Sequence, residues 1–500
     1  MSRTTRSCPR RSRRGGSPPR RGCDRGLAVV AGAAAAPEPT PEQVASTMRS
    51  RQYGVLLVVA AVVGVIVSLG AWGFLELIYQ IQRELYTHLP HALGYHNGPP
   101  LWWSLPVLAV SGVIVALAIT RLPGEGGHLP ARGLAPGGAP DLRVLPGVVL
   151  AGLASIGMGA VIGPEAPLIA IGSGLALLTI RLARREMPQP VLMVVAAAGS
   201  FAALSFIFAS PLIAAVILIE AAGIGGPRLP LVVLPGLLAA GIGTLVSLGM
   251  GSFTGLSTSA YALGRLQLPA FSHPNIGQFG WTIALAVAVA VVARLVMRGG
   301  LLTHRFAAPR ALLALPAIGL VISGLAIAFS QAADKNVNEV LFSGQDSLPG
   351  LVAQAGTWSL SALALLIVFK GVAYMVSLGS FRGGPTFPAL FLGAAAGLMA
   401  SHLPDFPLTP AVAVGMGAAI AAVLKLPLSA VVLSTMLTVK AGVGDEPLII
   451  VGVVVAYLVA LLMSAPPSAG GDAAERSTGT AEDAPEMGAP APEPAGEPVA

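Results

Sequence analysis

Two short stretches 221 residues apart read almost alike: Gly163-Pro164-Glu165-Ala166-Pro167-Leu168-Ile169-Ala170-Ile171-Gly172 and Gly384-Pro385-Thr386-Phe387-Pro388-Ala389-Leu390-Phe391-Leu392-Gly393. Each pairs a Gly-Pro start with a second proline and an apolar run. This is a loop delivered to a helix whose first turn tolerates proline, because first-turn N–H groups have no intrahelical acceptor. The remaining amides point away from the helix and carry about +0.5 of a charge, a ready seat for an anion. In a bilayer, two broken helix starts in corresponding positions of two halves point to a transported substrate near the midplane.

A second echo supports duplication. Gly199, Ala202, Ala203, Pro211, Leu212, Ala214 and Val216 recur at a constant offset of 216 as Gly415, Ala418, Ala419, Pro427, Leu428, Ala430 and Val432. Small-residue matches come easily in a chain rich in Ala and Gly, but both echoes run in the same order at nearly the same offset.

Hydrophobic residues make up 54% of the chain and charged residues 11%, against about 25% charged in a soluble domain. Mean hydropathy is +0.77. The chain therefore reads as all-α and polytopic, solvated by lipid. Apolar stretches run over 54–80, 101–121, 144–162, 190–222, 230–250, 277–298, 307–330, 358–379, 388–402, 409–424 and 427–464. A span needs about 20 residues to cross roughly 30 Å of hydrocarbon. Several stretches are too short or too broken by Gly and Pro, which implies re-entrant or half-length helices buried in protein or lining a watery path.

The ends are different material. Residues 1–46 are rich in Arg, Pro, Ser and Gly, and 466–500 in Pro, Ala, Glu and Gly, so both are expected to be disordered tails around a transport domain at 47–465. Its repeat halves are expected at about 54–250 and 277–464. Of the net charge of +7, residues 1–53 carry +8 and 466–500 carry −6, leaving about +5 on the body. The basic pI is therefore no argument for nucleic acid. Arg49, Arg51 and Arg121 flank the first two spans on one side, which the positive-inside rule makes cytoplasmic, with both termini there. The Arg-rich start lacks an apolar stretch placed for a cleaved signal, and Met48 is an alternative start. Cys8 and Cys23 both lie in this tail, so neither a disulfide framework nor a metal site is expected.

Ionisable residues within the apolar stretches or at the breaks between them include Glu76, Glu165, Glu220, Lys370 and Lys425. A charge at a helix centre costs about 2.5–3.5 kcal/mol on insertion scales. Glu76, Glu220 and Lys370 are expected near an interface or against a neighbouring helix. Glu165 differs, because a carboxylate on a broken helix start satisfies first-turn amides and competes with any soluble anion for the same place.

These residues carry a resemblance. Gly163-Pro164-Glu165-Ala166-Pro167 is similar to the G-(K/R)-E-G-P motif of the CLC family of chloride channels and chloride/proton exchangers. Gly383-Gly384-Pro385-Thr386-Phe387-Pro388 resembles its G-G-x-F-x-P motif, and Gly415 to Thr438 its later G-M-G-A and R-A-P-L-(T/S) region. Gly126-Gly127-His128-Leu129-Pro130 occupies the place of its G-S-G-I-P motif. The likeness covers roughly 54–464 and lacks the family's cytoplasmic nucleotide-binding domains. It implies an inverted repeat with broken and re-entrant helices in a multi-pass protein of the cell membrane. It further implies a homodimer with one anion path per subunit, no cofactor, and Glu165 as the gating carboxylate. Gly127, Ala166, Pro385, Thr386 and Phe387 then surround the anion.

Departures from the family pattern modify the expectation. The serine hydroxyl of the first motif falls on Gly127, the tyrosine of the family's final helix has no counterpart, and Tyr457 lies within the last span. Pro164 and Pro385 remove N–H donors. Aligned through Ser210-Pro211-Leu212, the exchangers' Glu-Glu pair falls on Glu220-Ala221, leaving Glu220 as the one candidate for a proton path and favouring passive anion conduction over exchange. Two rivals are a secondary transporter of another fold and an intramembrane hydrolase. The hydrolase is disfavoured because all seven histidines sit in or beside loops.

Overall fold

The computed structural model describes residues 40–134, 141–184, 187–223, 225–254 and 263–464. The first half contains α1 (Arg51–Arg83), α2 (Ser104–Arg121), α3 (Leu145–Gly157), α4 (Glu165–Leu182), α5 (Gln189–Phe208), α6 (Pro211–Ala222) and α7 (Leu229–Thr254). The second half contains α8 (Ile276–Ala307), α9 (Ala311–Ala333), α10 (Leu360–Ser380), α11 (Thr386–Ala400), α12 (Leu408–Leu424), α13 (Pro427–Thr438) and α14 (Glu446–Leu462). Among the described residues, seven helices are long and apolar enough to cross a membrane. Helix α6 has 12 residues, about 18 Å of rise, well short of the hydrocarbon thickness.

The breaks follow the sequence. Over 190–222, Ala209 adopts φ +47° in the left-handed region, Ser210 accepts from the Ile213 N–H, and Pro211 opens α6. The second half repeats this, with Lys425 at φ +59° before Pro427 opens α13.

Glycine spacing sets the packing. Helices α4 and α5 approach through Gly172 and Gly199, where a Cβ on Gly172 would lie 2.6 Å from the Gly199 carbonyl oxygen. The equivalent pair α11 and α12 meets through Gly393 and Gly415 in the same way. Small residues let backbones touch where lipid supplies no hydrophobic drive for association. Helix α12 is buried along almost its entire length and forms the centre of the second half.

The two halves run in opposite senses. Helix α4 starts beside Tyr79 and Gln82 near the end of α1. Its far end, Thr179–Ala183, lies alongside Arg51 and Gly54 at the start of α1. Helix α11 runs the other way and ends near Pro404 and Asp405, whose carbonyls accept from Trp281 and Gln278 at the start of α8. The starts of α4 and α11 therefore meet in the interior.

One boundary differs from expectation. Residues 41–46 are not outside all structure, because Pro41–Met48 forms a helix in which Thr40 and Gln43 make a capping box and Val44 is buried. The rest of the expected N-terminal tail, residues 1–39, and the acidic tail at 466–500 lie outside the described residues.

Candidate functional site: two helix starts and one carboxylate

The loops that enter α4 and α11 pair with each other. Gly163 N–H donates to the Gly384 carbonyl at 2.8 Å, and Gly384 N–H returns the bond at 2.6 Å, an isolated antiparallel bridge. Serines extend the reciprocity. The Val161 N–H donates to Ser377 Oγ at 3.2 Å, and the Arg382 N–H donates to Ser155 Oγ at 3.1 Å. Each serine sits near the end of the helix leading into its own half's loop and accepts from the other half's loop.

Glu165 crosses this bridge. It is 1% exposed, and its Oε1 accepts from the Thr386 N–H at the start of α11. The carboxyl group lies against Gly163 and Gly384, where added Cβ atoms would collide with it. The two glycines of the twin motif thus make room for the carboxylate as well as pairing the loops. Its second oxygen, Oε2, is buried with no protein hydrogen-bond partner.

The expected neighbours are present with unequal roles. Thr386 and Phe387 are buried in the first turn of α11, and Phe387 stacks on Phe208 with centroids 5.5 Å apart. Pro385 offers only its carbonyl, and that accepts from the Tyr374 hydroxyl at 2.6 Å. Ala166 is partly buried one residue beyond Glu165. Gly127 has φ +103°, and its N–H is committed to the Gly124 carbonyl at 2.9 Å within a turn. Glu220 stands apart at the end of α6. Its carboxylate accepts from the Leu428 N–H at 2.9 Å, the Ser429 N–H at 2.7 Å and Ser429 Oγ at 2.6 Å, capping the start of α13.

Several residues of the neighbourhood have partners that no local pattern in the sequence encodes. Tyr374 locks the α11 start, yet reads as one more aromatic in an apolar run. Lys370 is fully buried, with its Nζ donating to the consecutive carbonyls of Glu339, Val340, Leu341 and Phe342 at 2.8–3.3 Å. The Phe342 N–H in turn donates to Gly159 at 3.2 Å, so this cradle props the chain that leads into Glu165. On that side a polar pocket of about 40 Å³, room for a water or two, is lined by Pro164, Tyr79, Gln82, Ser343, Gln345 and Asp346. Asp346 keeps contact with solvent at the pocket but is ringed by protein, and the resulting desolvation pushes its carboxyl up to about 6.

Comparison with known proteins places the chain among relatives. Residues 131–461 match the family model for voltage gated chloride channels. YfeO of Escherichia coli O1:K1, whose name describes an ion-transport protein, is 30% identical over 372 residues, covering 72% of this chain and 82% of that protein. The fold is similar to that of a slow cyanobacterial Cl⁻/H⁺ antiporter, with TM-score 0.67 and 22% identity over 82% of this chain and 95% of that one. It is similar also to a CLC-type fluoride/proton antiporter, with TM-score 0.61 and 17% identity over 81% and 95%. A eukaryotic CLC transporter gives TM-score 0.63 and 17% identity over 83% and 73%.

Proposed function

The chain belongs to the voltage-gated chloride channel (CLC) family, and on that premise we propose that it carries chloride or a similar small anion along a path that the Glu165 carboxylate occupies when the anion does not. The observation behind this reading is the Glu165 carboxyl, supplied by one half, seated on the Thr386 amide of the other. Taking an ionised carboxylate out of water costs several kcal/mol. It is offset by the Thr386 N–H bond, at about 1.5–3 kcal/mol for a charged hydrogen bond, with the Glu165 and Phe387 amides and the Thr386 hydroxyl also acting on the carboxyl. With Oε2 unpaired the seat is contingent, so a proton on Glu165 or an anion on the same amides releases it. The Ala166, Thr386 and Phe387 amides serve the anion, Pro385 shapes the α11 start, and Gly127 lines the approach from the Arg51 face, which is the cytoplasmic one.

Proton-coupled exchange is the leading mode. The solved proteins of this fold described above include two anion/proton antiporters, and a carboxylate that an anion displaces is also one that can take up a proton. Passive conduction, the sequence expectation, retains one supporting observation. Next to Ala221, Glu220 is held by three hydrogen bonds as a helix cap rather than standing free to relay protons. A homodimer fits the apolar surface of α6 and α13, where Leu212 is 48% and Leu428 57% exposed. The molecular mass of the purified protein in detergent checks it.

The deciding experiment follows chloride efflux and internal pH together in liposomes holding the purified full chain. Exchange requires an imposed chloride gradient to drive protons uphill at a fixed ratio, whereas chloride flux with no proton movement selects passive conduction. Absence of flux for chloride, nitrate and fluoride alike would remove the anion reading.

A further inference from the structure

On the other side of the glycine bridge from the Tyr79 and Gln82 pocket, Arg382 is 4% exposed. Its Nε donates to the Glu125 carbonyl at 3.0 Å and its Nη1 to the Phe381 carbonyl at 3.3 Å, both neutral acceptors. No carboxylate stands within ion-pair distance of it among the described residues. A buried cation without a counter-charge is costly and rare. Burial pulls the guanidinium down and the Glu125 charge pulls it up, which together leave it at about 10, so Arg382 remains a cation at neutral pH.

Its surroundings add positive charge. Arg132 and Arg382 both bear on His128 and on His304, and Glu125 is the one acid acting on the group. His128 Nε2 lies 3.0 Å from the Gly133 carbonyl and His304 Nδ1 lies 3.2 Å from the Gly379 carbonyl, so neither ring supplies the missing negative charge. Above the guanidinium stem runs Gly126-Gly127, both at positive φ and without side chains to cover it. A Cβ on Gly126 would come within 3.4 Å of Arg382 Cγ. Arg382 also precedes the bridge residue Gly384 by only two positions, which puts the uncompensated charge one short step from the Glu165 seat.

We propose that Arg382 is the capture residue for the transported anion on the Arg51 face, where a small monovalent anion supplies the counter-charge beneath Gly126-Gly127 before it displaces Glu165. This rests on the anion path through Glu165. The guanidinium offers a charged donor set, Arg132 raises the local anion concentration, and exposed Glu125 limits the site to a single negative charge.

The test uses the full chain in liposomes with chloride as the probe, reading initial flux against chloride concentration for wild type, Arg382→Gln and Arg382→Lys. Losing one charged hydrogen bond to the anion should raise the half-saturating chloride concentration of Arg382→Gln about tenfold. The loss of flux should be steep at low chloride and much smaller at saturation. Arg382→Lys keeps the charge but not the fork, and should shift half-saturation by less. If the Gln variant does not fold, the Lys variant decides, since its half-saturation must still rise. A half-saturating concentration unchanged in the folded variants, or a loss equal at every chloride concentration, would mean that Arg382 only braces the Glu125 loop. Wild-type flux insensitive to Glu165 substitution would instead remove the parent reading, whereas Glu165-dependent flux with unaltered half-saturation removes only the role of Arg382.

Discussion

Gly163 and Gly384 exchange both of their backbone hydrogen bonds, at 2.8 and 2.6 Å, across the seam between two inverted halves. Each lies two residues before the first helical residue of its own half, Glu165 or Thr386, and the Glu165 carboxyl rests against both. The bridge fixes the distance between the two helix starts, and the missing side chains leave the volume that one carboxyl fills.

A methyl group on Gly384 should therefore compete with Glu165 for one space. Gly384→Ala alone is expected to expel the carboxylate or to lower thermal stability, with overpacking costing about 1–3 kcal/mol. In a Glu165→Ala background the same change should be much milder. The measurement is a double-mutant cycle on melting temperature in detergent, and additive effects would show that the two residues do not share this volume.

Lys370 should be a matter of stability. Lys370→Met takes the three N–H donors of the ammonium from four carbonyls, those of Val340 and Leu341 buried and those of Glu339 and Phe342 part-buried, at about 1–3 kcal/mol for each buried acceptor left without a donor. It also removes the ammonium set 4.5 Å over the Phe391 ring. A lower melting temperature and reduced yield of folded protein are expected, with Lys370→Arg in between. A Met variant as stable as wild type would contradict the cradle.

The architecture was legible because its determinants are local. Pro211 and Pro427 announce the second break of each half, and the twin Gly-Pro loops announce the two meeting starts. Glu165 stood out as a carboxylate on such a start. Other parts depend on contacts that no local pattern encodes. Arg382 is a lone basic residue in a loop between apolar runs, and the returning loop at Glu125 and Gly126 packs over it. Ser155 and Ser377 pass for small residues in helices until the opposite loop arrives at each. Lys370 was expected to face an interface or a helix, but its long side chain finds four successive carbonyls of a turn. The expectation of passive conduction rested on one aligned position, Ala221.

Asp346 gives a second, separable pH effect. Its carboxyl binds a proton more tightly in the folded protein, near pH 6, than at the ordinary value of 3.8. The folded state therefore holds more protons between those values, and stability declines as pH rises from about 4 to about 6. Asp346→Asn should remove that slope, raise the melting temperature at pH 7, and increase anion entry at pH 7 by discharging the pocket. Melting curves across pH 4 to 8, on the order of the range the linkage spans, check it. An Asn variant with the wild-type slope would contradict the assignment.

The central claim is that the Glu165 carboxylate occupies the anion's path and leaves it when protonated. Its direct test is anion flux against pH in liposomes for wild type and Glu165→Gln, each first shown to fold. Protonation discharges the seated carboxylate, so wild-type flux should rise as pH falls. The Gln variant, which carries no charge at any pH, should be open at neutral pH and nearly flat once the Asp346 contribution is removed in the same background. A folded Gln variant that keeps the full wild-type pH response, or that is merely less stable without constitutive flux, would contradict the account and leave Glu165 as a helix cap worth about 0.5–2 kcal/mol.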